Sequence, residues 1–246
     1  MCELFGVSAD RKIRINDHLR AFFAGSAEHR HGWGIALLDG TEAEIIKEPV
    51  KALDSLRIKT ALENDIYSSC LMAHIRQATI GDVSTENTHP FVRSDRYGRE
   101  WVLVHNGTIF DSPYLNGYRY TQEGSTDSER ILLHIAERMV EGDNFEVIES
   151  IVRNITPGNK VNLLLYGGGS LYVHKNEPRT LFRKTGEGQV LFATRPLSPS
   201  GWEEIPQNTL LEYRDGKLVR EGIRHGNTYV HDEEKMRLIY VDHSML

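Results

Sequence analysis

Cysteine is scarce in this chain and long apolar runs are missing. Only Cys2 and Cys70 occur in 246 residues, too few for a disulfide framework or a cysteine-built zinc site, and the pair suits a reducing compartment. No stretch approaches the roughly 20 consecutive apolar residues that a membrane-spanning helix requires. No basic segment followed by an apolar one marks the N-terminus as a secretory leader, so the expected location is cytoplasmic. A basic block is missing as well. The 29 Lys and Arg are scattered among 35 Asp and Glu, giving a net charge of −6, and no phosphate-binding face for nucleic acid is expected. Repeats, low-complexity tracts and linkers are also lacking, which leaves one domain over residues 1–246 as the expectation. The run Gly167-Gly168-Gly169 lacks the Lys-Ser/Thr and the helix that would make it a phosphate loop, and it reads as a hairpin turn.

What is present is a series of short apolar runs bounded by turn residues. Leu4 to Ala9 and Trp33 to Leu38 read as strands, and Asp39-Gly40 reads as a tight turn into a further strand at Glu44 to Lys47. Cys70 to Ile75 and Trp101 to His105 follow, separated by the polar stretch GDVSTENTHPFVRSDRYGRE, which is expected to be a loop. Ile131, Leu132, Ile135 and Met139 recur at helical spacing, with Ser125 or Thr126 as cap. A second helix is expected at Phe145 to Ile155, and earlier ones at Ile15 to Ala24 and Ala52 to Leu62. Strands resume at Lys160 to Tyr166, Ser170 to Lys175, Val190 to Thr194, Thr209 to Tyr213 and Lys217 to Gly222. Strands and helices do not alternate one for one, so the expected class is α+β, with two antiparallel sheets covered by helices.

Four polar clusters stand at strand ends or in the loops after them: HRHGWG (29–34), HIRQAT (74–79) with NTHPF (87–91), VHNGTI (104–109) and GSTDSE (124–129). Each has a structural explanation on its own: Arg76 as a surface ion-pair partner, Asn106-Gly107 as a hairpin turn, Asp127 as a helix-start charge. Cys2 could likewise be a small buried hydrophobe at the start of a strand. Taken together they suit a different task. A thiol acting on an amide needs a base, an oxyanion hole and anchors for the substrate's charges. Asn106 offers an amide side chain and Gly107 a backbone N–H that can be approached closely. Arg76 offers a fork for a carboxylate and Asp127 the opposite charge for an ammonium group, a pair that matches an α-amino acid.

With these residues in order along the chain, the sequence resembles the class II glutamine amidotransferases, the N-terminal-nucleophile glutaminase domains, and most closely their stand-alone members with a Gly-Trp-Gly near the N-terminus, here Gly32-Trp33-Gly34. The resemblance implies a four-layered αββα sandwich. It implies that Cys2 is the nucleophile and that its α-amine, exposed by removal of Met1, is the general base. It further implies that Arg76 holds the α-carboxylate of glutamine with Thr79 and His89 nearby, that Asn106 and Gly107 form the oxyanion hole, and that Asp127 holds the α-ammonium group. Gln77, Ile80 and His31 depart from residues common in the family at those places, which bears on how the glutamine loop closes. The α-amine and the thiol have ordinary pKa values of about 7.7–8.0 and 8.5, near enough for proton transfer at neutral pH.

Three functions fit these residues: a glutaminase feeding ammonia to a separate synthase, a hydrolase of a γ-glutamyl amide in some small molecule, and a metal-binding module built on His29, His31, His74, His89 and His105. The last accounts for neither Arg76 nor Asn106-Gly107. No cofactor is expected, and the expected partners are glutamine or a γ-glutamyl small molecule and a separate ammonia-accepting synthase, without nucleic acid or membrane.

Overall fold

Residues that alternate between two environments define the first strand. In the computed structural model, which describes residues 2–237, β1 (Glu3–Arg14) turns Phe5, Val7 and Ala9 toward one apolar layer and Leu4 toward another, the period-two signature of a strand buried on both faces. It lies inside a seven-stranded antiparallel sheet with β2 (Trp33–Leu37), β3 (Glu44–Glu48), β4 (Tyr67–Ile75), β9 (Phe182–Gly186), β10 (Gln189–Ala193) and β11 (Glu203–Glu204), in the order β11-β9-β10-β1-β4-β2-β3. The second sheet has six strands: β5 (Phe91–Ser94), β6 (Glu100–Thr108), β7 (Lys160–Gly167), β8 (Ser170–His174), β12 (Leu211–Arg214) and β13 (Lys217–Glu221), ordered β13-β12-β8-β7-β6-β5.

Helices cover the outer faces. α1 (Asn16–Ala24) and α2 (Leu56–Glu63) pack Leu19, Phe22, Phe23 and Ile58 against the first sheet. α3 (Asp127–Arg138) and α4 (Phe145–Ile155) pack Ile131, Ile135, Ile148 and Ile151 against the second. Between the sheets, Leu4, Met72 and Phe192 meet Val102, Val104, Leu164 and Val173. The sheets approach so closely that a Cβ on Gly6 would stand 2.6 Å from Leu164 Cδ1. The result is the αββα sandwich, with three apolar layers between four layers of secondary structure.

Several elements fall where the sequence pattern puts them, α4 at Phe145–Ile155 and the turn after β2 among them. Others do not. The stretch 81–100, expected to be loop, contains β5, whose Phe91 pairs with Leu103 across to β6. The expected helix over 52–62 is split: a 3-10 turn at Ala52–Asp54 ends at Ser55, whose hydroxyl accepts the Ile58 N–H at 3.2 Å and caps α2. β9 and, at the sheet edge beside it, β11 are polar strands with no apolar run to announce them.

Candidate active site

The register of the first sheet brings Cys2 to the 76–79 loop. Glu3 pairs with Ile75 across β1 and β4, so Cys2, just before β1, faces the chain as it leaves β4. The Cys2 thiol lies 3.4 Å from both the carbonyl oxygen and the amide nitrogen of Gln77. Across the sandwich, Asn106 and Gly107 lie inside β6, paired with Asn162 and Val161 of β7, and so are strand residues rather than a hairpin turn. Cys2, Thr79, Asn106 and Gly107 line one small cavity. Gln77, Thr108 and Lys160 complete its floor, and Tyr229, His231 and Met236 close it from the C-terminal side.

Glycine at 107 is required by packing. A Cβ there would stand 2.0 Å from the Lys160 carbonyl oxygen and 2.3 Å from His105 Nε2. His105 braces this corner, with Nδ1 2.9 Å from the Ser128 hydroxyl at the start of α3 and Nε2 3.2 Å from the Lys160 carbonyl. Burial pushes its pKa down, so the ring is neutral, with Nε2–H donating to the carbonyl and Nδ1 accepting from Ser128. The Asn106 side chain is 2 % exposed and faces a cavity that also holds the thiol.

Arg76, Asp127 and His89 are not among the cavity's walls. Arg76, 2 % exposed, donates from Nη1 to the Asp82 carbonyl at 2.8 Å and from Nη2 to those of Ile80 and Gly81 at 3.0 and 2.9 Å. Its fork thus ties the 76–82 loop into a closed turn. His31 adds to the hold: its Nδ1 accepts the Ala78 N–H at 3.0 Å, and burial with the charges of Arg76 and Arg30 keeps it neutral. Asp127 is the first residue of α3, which Thr126 caps by accepting the Glu129 N–H at 3.3 Å. The Asp127 carboxylate accepts the Ile109 N–H at 2.6 Å and the Ser128 N–H at 2.9 Å, tying the helix start to the end of β6. His89 is packed against His74, ring centres 4.0 Å apart, and edge-on to Phe91. Burial drives its pKa well below the ordinary histidine value. His29 lies 3.4 Å from the Glu3 carboxylate, and among the described residues no group of three His, Cys, Asp or Glu side chains is gathered to hold an ion.

Electrostatics at the thiol are opposed. Burial pushes the Cys2 pKa up, while the Gln77 N–H and the charges of Arg76 and Lys160 pull it down. Lys160 is 3 % exposed and its ammonium is held 2.6 Å from a Glu177 carboxylate oxygen. The sequence marks Lys160 only as the start of a strand, and Tyr229, His231 and Met236 lie in a segment with no periodicity. No local pattern points to any of them. Cys70, in β4, is the other free thiol; burial and the nearby Asp39 and Asp215 carboxylates drive its pKa far upward, which leaves it inert as a nucleophile.

This layered fold, with a cysteine leading into a central strand, is that of the N-terminal-nucleophile amidotransferases. It superposes with TM-score 0.72 on the glutamine phosphoribosylpyrophosphate amidotransferase of B. subtilis, at 17% identity, covering 92% of this chain and 50% of that one. Residues 1–185 match the model of the class II glutamine amidotransferases, and the chain belongs to that family. A Haemophilus influenzae protein provisionally named a glutamine amidotransferase is 31% identical over 258 residues, covering 91% of this chain and 87% of its own. The glutamine–fructose-6-phosphate aminotransferase of Streptococcus pyogenes is 31% identical over 164 residues, 63% of this chain and 26% of that protein. Among the described residues no helix is long and apolar enough to cross a membrane.

Proposed function

We propose that this amidotransferase-family chain hydrolyses the side-chain amide of glutamine through Cys2. With Met1 removed, the α-amine of Cys2 takes the thiol proton. The thiolate adds to the γ-carbonyl carbon, and the oxyanion is stabilised by the Asn106 side chain and the Gly107 backbone N–H. The C–N bond breaks as the amine returns the proton to the departing nitrogen, releasing ammonia and leaving a γ-glutamyl thioester. Water then attacks the thioester, giving glutamate and the free thiol. Arg76 and Asp127 take the α-carboxylate and α-ammonium groups, with Thr79 beside the amide. The observation that carries this reading is that Cys2, Asn106 and Gly107, from opposite sheets, share one cavity. Lys160 adds a positive charge to that cavity and favours both the thiolate and the oxyanion. The fructose-6-phosphate and phosphoribosylpyrophosphate enzymes extend well beyond the part this chain matches, and delivery of ammonia to a separate acceptor enzyme is the corresponding role here.

The test joins intact mass with turnover. The active protein begins at Cys2, and on acid quench during turnover it carries a glutamyl adduct that Cys2→Ala lacks. Asn106→Ala lowers kcat by about 10² to 10³. An active preparation in which every chain retains Met1 overturns the mechanism, and a γ-glutamyl amide turned over far better than glutamine reassigns the substrate.

A further inference from the structure

The cavity that holds the Cys2 thiol is too small for the reaction just proposed. Its volume is about 20 Å³, room for about one water molecule, whereas glutamine must reach from the thiol to Arg76 and Asp127, which lie outside the cavity's walls. One wall has to yield, and the two movable walls are held very differently. The 76–82 loop is tied by three hydrogen bonds from Arg76, by His31 to the Ala78 N–H, and by the Asn87 side chain, which donates to the Asp82 carbonyl at 3.1 Å and to Ser125 at 3.0 Å.

The opposite wall is the chain after β13. Its first part is anchored. The His225 N–H donates to the Asn208 carbonyl at 2.9 Å, and the His225 ring lies 3.0 Å from that of His174. Asn176 brackets the next turn, its side chain donating to the Asn227 carbonyl at 3.1 Å and its own carbonyl accepting the Tyr229 N–H at 2.8 Å. Beyond that amide the hold changes character. Val230 is 78 % exposed, and residues 232–236 bond among themselves, the Asp232 carboxylate accepting the N–H groups of Glu234 and Lys235. Among the described residues, ring contacts and the cavity lining join this tip to the body: Tyr229 stacked on Phe110 at 6.2 Å, the Lys235 ammonium 5.9 Å from the same ring, and Tyr229, His231 and Met236 against the cavity. Among the described residues, no hydrogen bond or ion pair fixes the tip to the sheets.

We infer that residues 229–237 form a displaceable lid on the nucleophile cavity, hinged at the Asn176 anchor, whose Tyr229, His231 and Met236 decide what reaches Cys2. Seated, the lid excludes substrate from the thiol. Swung away from Phe110, it opens the cavity to entering molecules. That a wall must move for glutamine rests on the function proposed above; gating of the thiol by this segment is tested apart from it.

Two measurements on the full chain test this. In the first, Cys2 is alkylated with iodoacetamide, and the double variant Tyr229→Ala with Met236→Ala reacts about tenfold faster than the parent. Equal or slower alkylation overturns the lid. In the second, which needs no variant, the parent is labelled at Cys2 with a diazoketone analogue of glutamine, and tryptic cleavage and hydrogen exchange are followed by residue. The peptide bond after Lys235 is cut by trypsin about tenfold faster in the adduct, and the Ala78 amide exchanges no faster. Unchanged cleavage after Lys235 in the adduct overturns the lid. Failure of the analogue to label Cys2, with iodoacetamide still gated, overturns the glutamine reading and leaves the lid standing.

Discussion

Gly107 and Lys160 approach so closely across β6 and β7 that a single methyl group on the glycine would stand 2.0 Å from the lysine carbonyl oxygen. Both residues line the cavity of the Cys2 thiol, so this contact fixes where the Gly107 N–H sits relative to the sulfur. Because the obstructing atom belongs to the backbone of a central strand, no rotamer change relieves the clash.

Gly107→Ala is therefore expected to cost about 1–3 kcal/mol of stability from overpacking and to lower kcat through displacement of the oxyanion donor. Denaturant unfolding and steady-state kinetics on the same preparation check it. An alanine variant with parental kcat would contradict the placement of this N–H in the reaction.

Arg76 has two duties that substitution separates. Its fork serves three carbonyls of the 80–82 turn, and in the proposed reaction it also meets a carboxylate. Lysine offers a point charge without the planar fork, so Arg76→Lys is expected to raise the KM for glutamine about tenfold and to make the Ala78 to Asp82 amides exchange faster. If KM is unchanged while the loop loosens, the arginine is a loop tie only.

For Lys160 the readout is the pH profile. Its charge opposes the upward push of burial on the Cys2 thiol, so Lys160→Met is expected to move the acid limb of kcat/KM to higher pH, and Lys160→Arg to restore it. An unmoved limb with a uniformly lower rate would assign the lysine a packing role.

The buried histidines make stability depend on pH. His74 and His174 are fully buried, and burial pushes both down to about 3 from the ordinary 6.5. Between these values the unfolded chain is protonated and the folded one is not, so stability rises with pH across this window and is lost as pH falls below 6.5. The loss is up to about 1.4 kcal/mol per pH unit for each such histidine. Urea unfolding between pH 7 and 5 checks the slope, and His174→Gln is expected to flatten it; an unchanged slope in that variant would contradict the assignment.

Local patterns and the site differ in how far the sequence reveals them. The i, i+3, i+4 spacing of Phe145, Ile148, Ile151, Val152 and Ile155 marks α4 in full, and the apolar run Leu4 to Ala9 marks the first half of β1, which continues to Arg14. β5 is hidden because its four residues follow a proline in a polar stretch and are held by pairing with β6, a contact that leaves no local trace. The motifs around Arg76, Asn106 and Asp127 are legible because the proposed reaction calls for those residue types. Their geometry is not: that Arg76 turns inward to its own loop, and that Lys160 shares the cavity, follows from strand pairings spanning some tens of residues. Tyr229, His231 and Met236 reach the site only because Asn176 and His174 hold the chain that precedes them.

The pairing of Cys2 with Met236 at a single cavity means that the two ends of the described chain meet there. Residues joined ahead of Cys2 would begin beside the thiol and stand in the mouth of its cavity. Handles for immobilisation or labelling belong instead on turns at the other end of the strands, such as the exposed Gly168-Gly169 turn between β7 and β8, at the opposite end of β7 from Lys160.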